Sequence, residues 1–315
     1  MTQFLQHIIR SFLLRIRRNS YSYPPLSQTK DADLAQRLIY DLLTSNSPCM
    51  IARFGSVELQ AVIDYLYPPT LSNAYLFVKA AIPAWGYAPS TQRTMHINAG
   101  FFPSNHLMLD RFGKLMIDCM KNVDVLGCWR PEEVEVHSYM TQCLKVPLYS
   151  LEPYYFEHTW MPALEGKKVL VLHPFEDTIR KQHAHLAKLF PNPEMAPSYQ
   201  LITIKAVQSI AGNKPENFND WFDALEWMKH QIENKDFDIA IIGCGAYGFP
   251  LAAHVKQIGK KAIHLGGATA NLFGIRSHMV DQSTELSKLV NEYWVRASID
   301  ETPSGIEKVE GALYW

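Results

Sequence analysis

What is scarce in this chain of 315 residues excludes several classes of protein. The five cysteines are odd in number and none lies in a CxxC pair, so neither a zinc site nor a thioredoxin-like redox pair is expected. A reducing cytoplasm fits this cysteine usage best. The net charge of −1 gives no reason to expect a nucleic-acid partner. We find no internal repeat, no low-complexity tract and no nucleophile motif of a hydrolase.

Acidic residues are missing from the first 30 positions, where arginines accompany an apolar helical pattern. We predict an amphipathic basic helix over residues 1–20 and a linker over residues 21–30. Arg10 divides the apolar run, which is also too short for a bilayer, so neither a secretory signal nor a membrane span is expected. One interpretation is contact of residues 1–18 with an anionic membrane surface. The alternative is docking on this protein's own core or on a second subunit, and an organellar targeting peptide is less favoured.

Hydrophobic residues make up 47% of the chain and charged residues 19%, which predicts a large core. From Asp31 onward, short continuous apolar runs alternate with segments of helical periodicity. Continuous apolar runs indicate strands buried on both faces, as in a mostly parallel sheet with helices on both sides. We therefore predict one Rossmann-like α/β domain over residues 31–298 and a C-terminal tail over residues 299–315.

The individual elements follow from these patterns. The predicted strands cover residues 49–53, 75–82, 123–127, 168–173, 200–205, 238–242 and 261–265. The predicted helices cover residues 34–43, 107–120, 131–143, 176–189, 221–232 and 249–258.

The first strand leads into a corner that carries charge. An apolar run changes there to a helical pattern, across Arg53, Phe54, Gly55, Ser56 and Glu58. The unpaired N–H groups of a first helical turn attract anions, Ser56 is able to cap the helix, and the planar fork of Arg53 suits phosphate. Glu58 has three interpretations: it favours the helix dipole, it pairs with Arg53, or it holds a divalent cation against a diphosphate.

A second corner of the same kind follows the strand predicted at 238–242. Its residues fit the pattern GxGxxG with Gly243, Gly245, Ala246, Tyr247 and Gly248. The glycines allow the backbone to approach a phosphate, and a tight turn without ligand is the alternative. The next strand ends in His264-Leu265-Gly266-Gly267, without the carboxylate that would hold a ribose hydroxyl. A nicotinamide or flavin site is therefore disfavoured.

His173 ends another predicted strand and lies at the same edge of the sheet. It is interpreted either as a base or phosphate contact, or as a hydrogen-bonded structural histidine. Trp85 and Trp129 follow predicted strands and are able to stack on a sugar or a base.

Six segments together resemble a known family. They are residues 52–58, 151–155, 167–175, 243–248, 259–267 and 309–315. The sequence from about residue 45 onward is similar to bacterial polysaccharide-biosynthesis proteins with the GT-D glycosyltransferase fold. Such proteins bind a nucleotide-diphosphate sugar on a Rossmann-like sheet and transfer the sugar to an acceptor, here a glycan or lipid-linked acceptor.

The resemblance also implies roles for particular residues. Arg53 to Ser56 and the glycine corner would bind the nucleotide sugar, with Glu58 as a catalytic residue. His173, from its position at a strand end, is the second expected catalytic residue. Relatives carry an Arg-Phe-Gly-Asp-Gly-Glu segment whose Asp-x-Glu helps bind a divalent metal such as manganese or magnesium. In this chain Ser56 stands where that Asp would be, while Glu58 remains as the metal ligand. Because a hydroxyl is a poorer metal ligand than a carboxylate, the dependence on metal stays open.

Glycosyl transfer in the cytoplasm, or at the inner face of the membrane, is thus the expected activity. Arg53 and a helix N-terminus would stabilise the departing diphosphate, and Glu58 would deprotonate the acceptor hydroxyl. The main alternative is a non-catalytic nucleotide-sugar-binding or scaffold protein of the same pathway, which Ser56 favours. An NAD-dependent oxidoreductase is a further alternative that the missing carboxylate disfavours.

Overall fold

The computed structural model describes residues 31–67 and 87–315 of the chain. The predicted N-terminal helix, the linker, the predicted strand at 75–82 and Trp85 lie outside the described residues. Strands of the described part form one seven-stranded parallel sheet in the order β3-β2-β1-β7-β6-β4-β5. The strands are β1 (Cys49–Ala52), β2 (Val125–Cys128), β3 (Leu144–Pro147), β4 (Lys168–His173), β5 (Gln200–Lys205), β6 (Ile239–Ile242) and β7 (Lys261–His264).

Helices connect and cover these strands. The α-helices are α1 (Ala32–Thr44), α2 (Ser56–Leu66), α3 (Pro89–Ile97), α4 (His106–Met120), α5 (Glu176–His183), α6 (Leu186–Leu189), α7 (Trp221–Glu233), α8 (Gly248–Gln257), α9 (Ala268–Asn271) and α10 (His278–Gln282). Asp31, Asn105 and Asp220 cap α1, α4 and α7 with their side chains, which satisfies N–H groups of the first turns. The predicted Rossmann-like class, with its mostly parallel sheet, is confirmed.

Two apolar cores sandwich the sheet, because successive side chains of a strand point to opposite faces. In β1, Met50 and Ala52 pack against the core formed with α2, α4, α7 and α8. Cys49 and Ile51 pack on the other face against α1 and α5. All strand residues of β1, β2 and β6 are buried, which explains their continuous apolar sequence.

Two predicted helices are wrong in detail. The segment predicted as helical over 131–143 is a 3₁₀ helix, Pro131–Tyr139, followed by β3. Its inward-facing residues include Glu133 and Glu135, so no apolar stripe defines an α-helix there. The sequence also missed β3, a short edge strand that contains Lys145 and ends in Pro147.

The helix predicted over 176–189 divides into α5 and α6. His185 N–H bonds to the carbonyl of Gln182 at 2.8 Å, in a tighter turn that interrupts the α-helix.

The predicted tail is packed on the domain. Residues Ile299–Glu301 and Ile306–Lys308 form short 3₁₀ helices, and Val309 is buried. Glu301 accepts hydrogen bonds from Asp177 N–H at 2.7 Å and from the hydroxyl of Ser298 at 2.9 Å. Residues 299–315 are therefore part of the folded body in this structure.

None of the helices among residues 31–67 and 87–315 has the length and apolar character needed to cross a bilayer.

Candidate functional site

Loops that follow all seven strands line one cavity of about 480 Å³ at the carboxyl edge of the sheet. The neighbouring strands β4 and β6 continue toward opposite sides of the sheet. The chain passes from β4 to β5 on one side and from β6 to β7 on the other. Ligands of open α/β proteins bind at such a point of divergence. The volume lies in the range of pockets that bind small molecules, which typically enclose about 300–1,000 Å³.

The corner after β1 brings a guanidinium to this cavity. Arg53 is half-buried, its guanidinium carbon lies 5.0 Å from the Trp129 ring centroid, and its Nη1 packs against Gly266. Trp129 is held in place by a hydrogen bond of 2.9 Å from its Nε1 to the carbonyl of Phe54. Burial lowers the pKa of Arg53, and the charge of Glu58 opposes that shift. An arginine side chain restrained in this way loses little conformational entropy when its guanidinium binds a ligand.

Three other residues of this corner are placed differently from one another. Phe54 is fully buried and stacks on Phe249 with 4.7 Å between centroids, so its side chain belongs to the core. Gly55 is the N-cap residue of α2 and Ser56 its first residue, so the predicted Ser56 cap is wrong. Ser56 nevertheless lines the cavity.

Glu58 folds back over the start of its own helix. Its carboxylate accepts the N–H of Glu58 itself and lies so close to Gly55 that a methyl group there would collide with it. Burial raises the pKa of Glu58, while its own N–H and Arg53 oppose the rise. This contact matches the interpretation in which Glu58 favours the helix dipole and faces Arg53.

At the glycine corner after β6, the glycines serve different purposes. A Cβ at Gly243 would lie 2.6 Å from the carbonyl oxygen of Gly266, and one at Gly248 would collide with the His264 ring. Gly245 has φ +55, a backbone conformation that favours glycine. A Cβ at Gly245 would have room, because the nearest atom, the carbonyl oxygen of Ala99, would be 3.7 Å away. Gly243 and Gly245 line the cavity, whereas Gly248 packs inside the protein.

Ala246 and Tyr247 of the same corner are buried. The Tyr247 ring stacks on Trp221 with 4.7 Å between centroids, and its hydroxyl lies 3.2 Å from that of Ser209. Their side chains therefore pack in the core beneath the corner, and the cavity is bordered by the preceding residues, Gly243 to Gly245.

His173 lies at the cavity as a neutral hydrogen-bond donor. Phe175 N–H donates to its Nδ1 at 3.0 Å, so the proton of the neutral ring is on Nε2. Burial lowers the pKa of His173 to about 3. A ring with its only lone pair already occupied cannot act as a base, so this geometry disfavours that interpretation, and it agrees both with a structural histidine and with a contact to phosphate through Nε2–H.

The structure adds cavity residues that sequence patterns had not marked as site residues. Glu152 follows β3, and Glu310 and Tyr314 come from the C-terminal segment. Tyr314 bonds to Glu310, and Asn98 Nδ2 lies 3.5 Å from the Glu310 carboxylate. The segments 151–155 and 309–315 carried part of the family resemblance, which was the available signal for them.

The C-terminal segment is tied to α10 and forms one wall of the cavity. Met279 N–H bonds to Leu313 O at 2.8 Å and His278 N–H bonds to Trp315 O at 2.9 Å. Glu310, Gly311 and Ala312 all have left-handed φ values, which turn the chain sharply before Tyr314.

The corner after β1 offers few oxygen ligands for a divalent cation. Ser56 offers a hydroxyl, the Glu58 carboxylate is engaged with its own helix, and the described residues contain no group of three side chains able to hold a metal ion. The donor set therefore does not fit a cation held by the protein alone.

The comparisons with known proteins give no further guide. No protein-family model, no curated protein and no solved structure matches this chain.

Proposed function

We propose that this protein binds a nucleotide-diphosphate sugar in the cavity and transfers the sugar to a hydroxyl group of a glycan or lipid-linked acceptor. The observation that carries the proposal is the position of Arg53 beside the first turn of α2 and the loop Gly243–Gly245, all bordering one cavity. A guanidinium and unpaired N–H groups suit a diphosphate.

The charge that develops during transfer explains how these groups act. When the bond between the anomeric carbon and the diphosphate breaks, negative charge grows on the departing phosphate oxygen. Arg53 and the N–H groups of Ser56 and Val57 at the start of α2 stabilise that charge, and His173 adds a neutral donor through Nε2–H. Because the donor set does not fit a resident cation, no step of this mechanism passes through a metal.

A nucleotide-sugar-binding scaffold of the same pathway is the second candidate. Two observations favour it: Ser56 replaces a carboxylate of the related motif, and Glu58 is engaged with its own helix. Binding of the donor is common to both candidates, so only turnover separates them.

The first experiment is a thermal-shift titration with a panel of UDP, GDP and dTDP sugars, with and without manganese or magnesium. A ligand present at a hundredfold excess over its dissociation constant stabilises the folded state by about 2.7 kcal/mol. We expect a shift with one nucleotide sugar, larger than with its free nucleoside diphosphate. If every nucleotide sugar leaves the well-folded protein unchanged, the proposal is wrong.

Contact of residues 1–18 with the membrane remains a prediction from the sequence. Deleting residues 1–20 is expected to reduce binding to vesicles of anionic lipid and to leave nucleotide-sugar binding unchanged. Equal vesicle binding by both forms would contradict it.

A further inference from the structure

Glu152 is a carboxylate that the protein holds at the edge of the cavity by a buried chain of hydrogen bonds. The hydroxyl of Tyr154 donates to its Oε2, and Asn271 Nδ2 donates to the Tyr154 oxygen at 3.1 Å. A phenol has one proton, so the amide of Asn271 on its oxygen directs that proton to Glu152. Asn271 is 1% exposed and Tyr154 is 7% exposed, so solvent does not compete for these bonds.

The backbone on which Glu152 stands is also restrained. Gln36 Nε2 bonds to Ser150 O at 2.7 Å, and Trp160 Nε1 bonds to Leu151 O at 3.0 Å. Glu152 N–H itself bonds to Tyr149 O at 3.0 Å. A carboxylate supported from both its backbone and one oxygen is preorganised, which is what a catalytic group requires.

The residues of this network come from strand ends on both sides of β1, the strand that leads to Arg53. Glu152 follows β3 and Asn271 follows β7, while β2 and β1 lie between these strands in the sheet. Glu152 and Arg53 both line the cavity. The second carboxylate oxygen, Oε1, has no hydrogen-bond partner within the part of the chain that the structure describes. One oxygen of Glu152 is thus anchored and the other is available to a ligand.

Glu58 and Glu152, two of the carboxylates whose charge acts on Arg53, therefore differ in availability. Glu58 is turned onto the N–H of its own helix, whereas Glu152 lines the cavity and has one carboxylate oxygen held by Tyr154. Burial raises the pKa of Glu152, and the bond from Tyr154 and the charge of Arg53 hold that rise back. Burial keeps the pKa of Tyr154 well above its ordinary value, so this phenol remains a donor.

We propose that Glu152 is the general base of the transfer reaction, with Tyr154 and Asn271 as its positioning residues. The assignment rests on the proposed function. The acceptor O–H proton passes to Glu152 Oε1, and the acceptor oxygen forms a bond to the anomeric carbon. The bond from that carbon to the diphosphate breaks, and its electron pair leaves with the diphosphate at Arg53.

The test uses the full chain and the nucleotide sugar that gives the largest thermal shift, with water as the acceptor. Nucleoside diphosphate release is measured between pH 4 and 9, and the donor dissociation constant is measured by calorimetry. Glu152→Gln keeps the size of the side chain and removes the base. We expect release to fall by at least about 100-fold while the dissociation constant changes by less than about threefold, since general bases contribute 10²–10⁴-fold. The control is Glu157→Gln, an exposed glutamate that does not line the cavity.

Tyr154→Phe separates positioning from mere packing. Loss of its hydrogen bond raises the pKa of Glu152, so the acidic limb of the pH–rate profile moves to higher pH. Arg53 and Tyr155 also face Glu152 and remain unchanged in this variant. A purely structural role would lower the rate without moving that limb.

Each outcome decides the assignment. Glu152→Gln with wild-type release, or with a dissociation constant that rises as much as the rate falls, overturns it. Donor binding without any release of nucleoside diphosphate by the wild type also overturns it. Failure of the wild type to bind any nucleotide sugar overturns the proposed function first, and the assignment with it.

Discussion

The corner after β1 and the corner after β6 look alike in sequence and differ in what they do. Each joins a buried strand to a helix through glycine, and each borders the same cavity. The first corner brings Arg53 to the cavity, while the side chains of the second, Ala246 and Tyr247, are turned into the core. A glycine motif therefore indicates that other atoms lie close to the backbone, but it does not show whether those atoms belong to a ligand or to the protein itself.

The neighbours of the glycines explain the difference. At Gly243 and Gly248 the space for a side chain is filled by the backbone at Gly266 and by the buried His264 ring. At Gly55 that space is filled by the end of the Glu58 side chain, which has to give up one hydrogen bond but moves more easily than backbone. Substitutions at Gly243 and Gly55 therefore test the comparison, and the larger loss of stability is expected at Gly243.

Gly243→Ala should have the largest effect. Its Cβ would meet the Gly266 carbonyl at 2.6 Å, and backbone atoms cannot move away without disturbing β6 and β7. We expect the free energy of unfolding to fall by about 3 kcal/mol or more, measured by urea denaturation. Gly259→Ala is the control, because φ there is +80 with open space around the position, and it should cost only about 1–2 kcal/mol. Equal losses in both variants would contradict the close-approach explanation.

The corner after β2 contains a carboxylate, Glu133, that is buried and does not line the cavity. Glu133 is 1% exposed, accepts N–H groups of Trp129 and Arg130 at 3.3 and 3.2 Å, and burial raises its pKa from 4.5 to about 7. A raised pKa means that its contribution to stability is fully present below pH 4.5 and is lost as the pH rises through 7. That loss amounts to about 3 kcal/mol.

Glu133→Gln keeps an oxygen that accepts both N–H groups and removes the ionisation. Compared with the wild type, the variant should gain relative stability of about 2–3 kcal/mol between pH 4.5 and pH 8, measured by urea denaturation at each pH. Glu157→Gln, at an exposed position, should leave the pH dependence unchanged. A constant difference between Glu133→Gln and the wild type over this pH range would show that Glu133 titrates normally.

Arg53→Lys tests the corner that carries charge. Lysine keeps the positive charge but lacks the planar fork, so one charge-assisted hydrogen bond to a diphosphate is lost. We expect donor affinity to fall about tenfold or more by calorimetry, because such a bond contributes about 1.5–3 kcal/mol. Arg37→Lys, at an exposed position of α1, is the matched control and should bind normally. Unchanged affinity in Arg53→Lys would remove Arg53 from the proposed diphosphate site.

Gly55→Ala should have the smallest effect on stability. The φ of −72 at Gly55 suits alanine, and only the flexible end of Glu58 needs to move. We expect the free energy of unfolding to change by less than about 1 kcal/mol, measured as for Gly243→Ala. A loss as large as that of Gly243→Ala would mean that the two corners are equally rigid, and the comparison would fail.

Much of the fold was predictable because buried parallel strands are continuous apolar runs. Strands β4 and β5 were predicted with the bounds that the structure has, and β1, β2, β6 and β7 within two residues. Strand β3 was missed because Lys145 and Pro147 hide it, although both are buried at the edge of the sheet. The 3₁₀ helix after β2 was mistaken for an α-helix because its inward side is organised by glutamates.

The candidate site was predictable only in part. The corners at residues 53–58 and 243–248 and the strand end at His173 do border one cavity. The patterns could not distinguish Phe54 and Tyr247, which pack in the core, from Arg53, which faces the cavity. Neither could they show that Glu58 folds back on its helix, because that depends on a rotamer.

The sequence by itself determined that this protein alternates strands with helices and that its strand ends carry glycines and charge, since both are local patterns. Tertiary structure alone decided that Glu152, Tyr154 and Asn271 form one network, and that Glu310 and Tyr314 reach the same cavity. Asn271 lies 117 residues from Tyr154 in the chain, and Asn98 lies 212 residues from Glu310. Contacts between residues so far apart arise from the order of strands in the sheet, which no local pattern encodes.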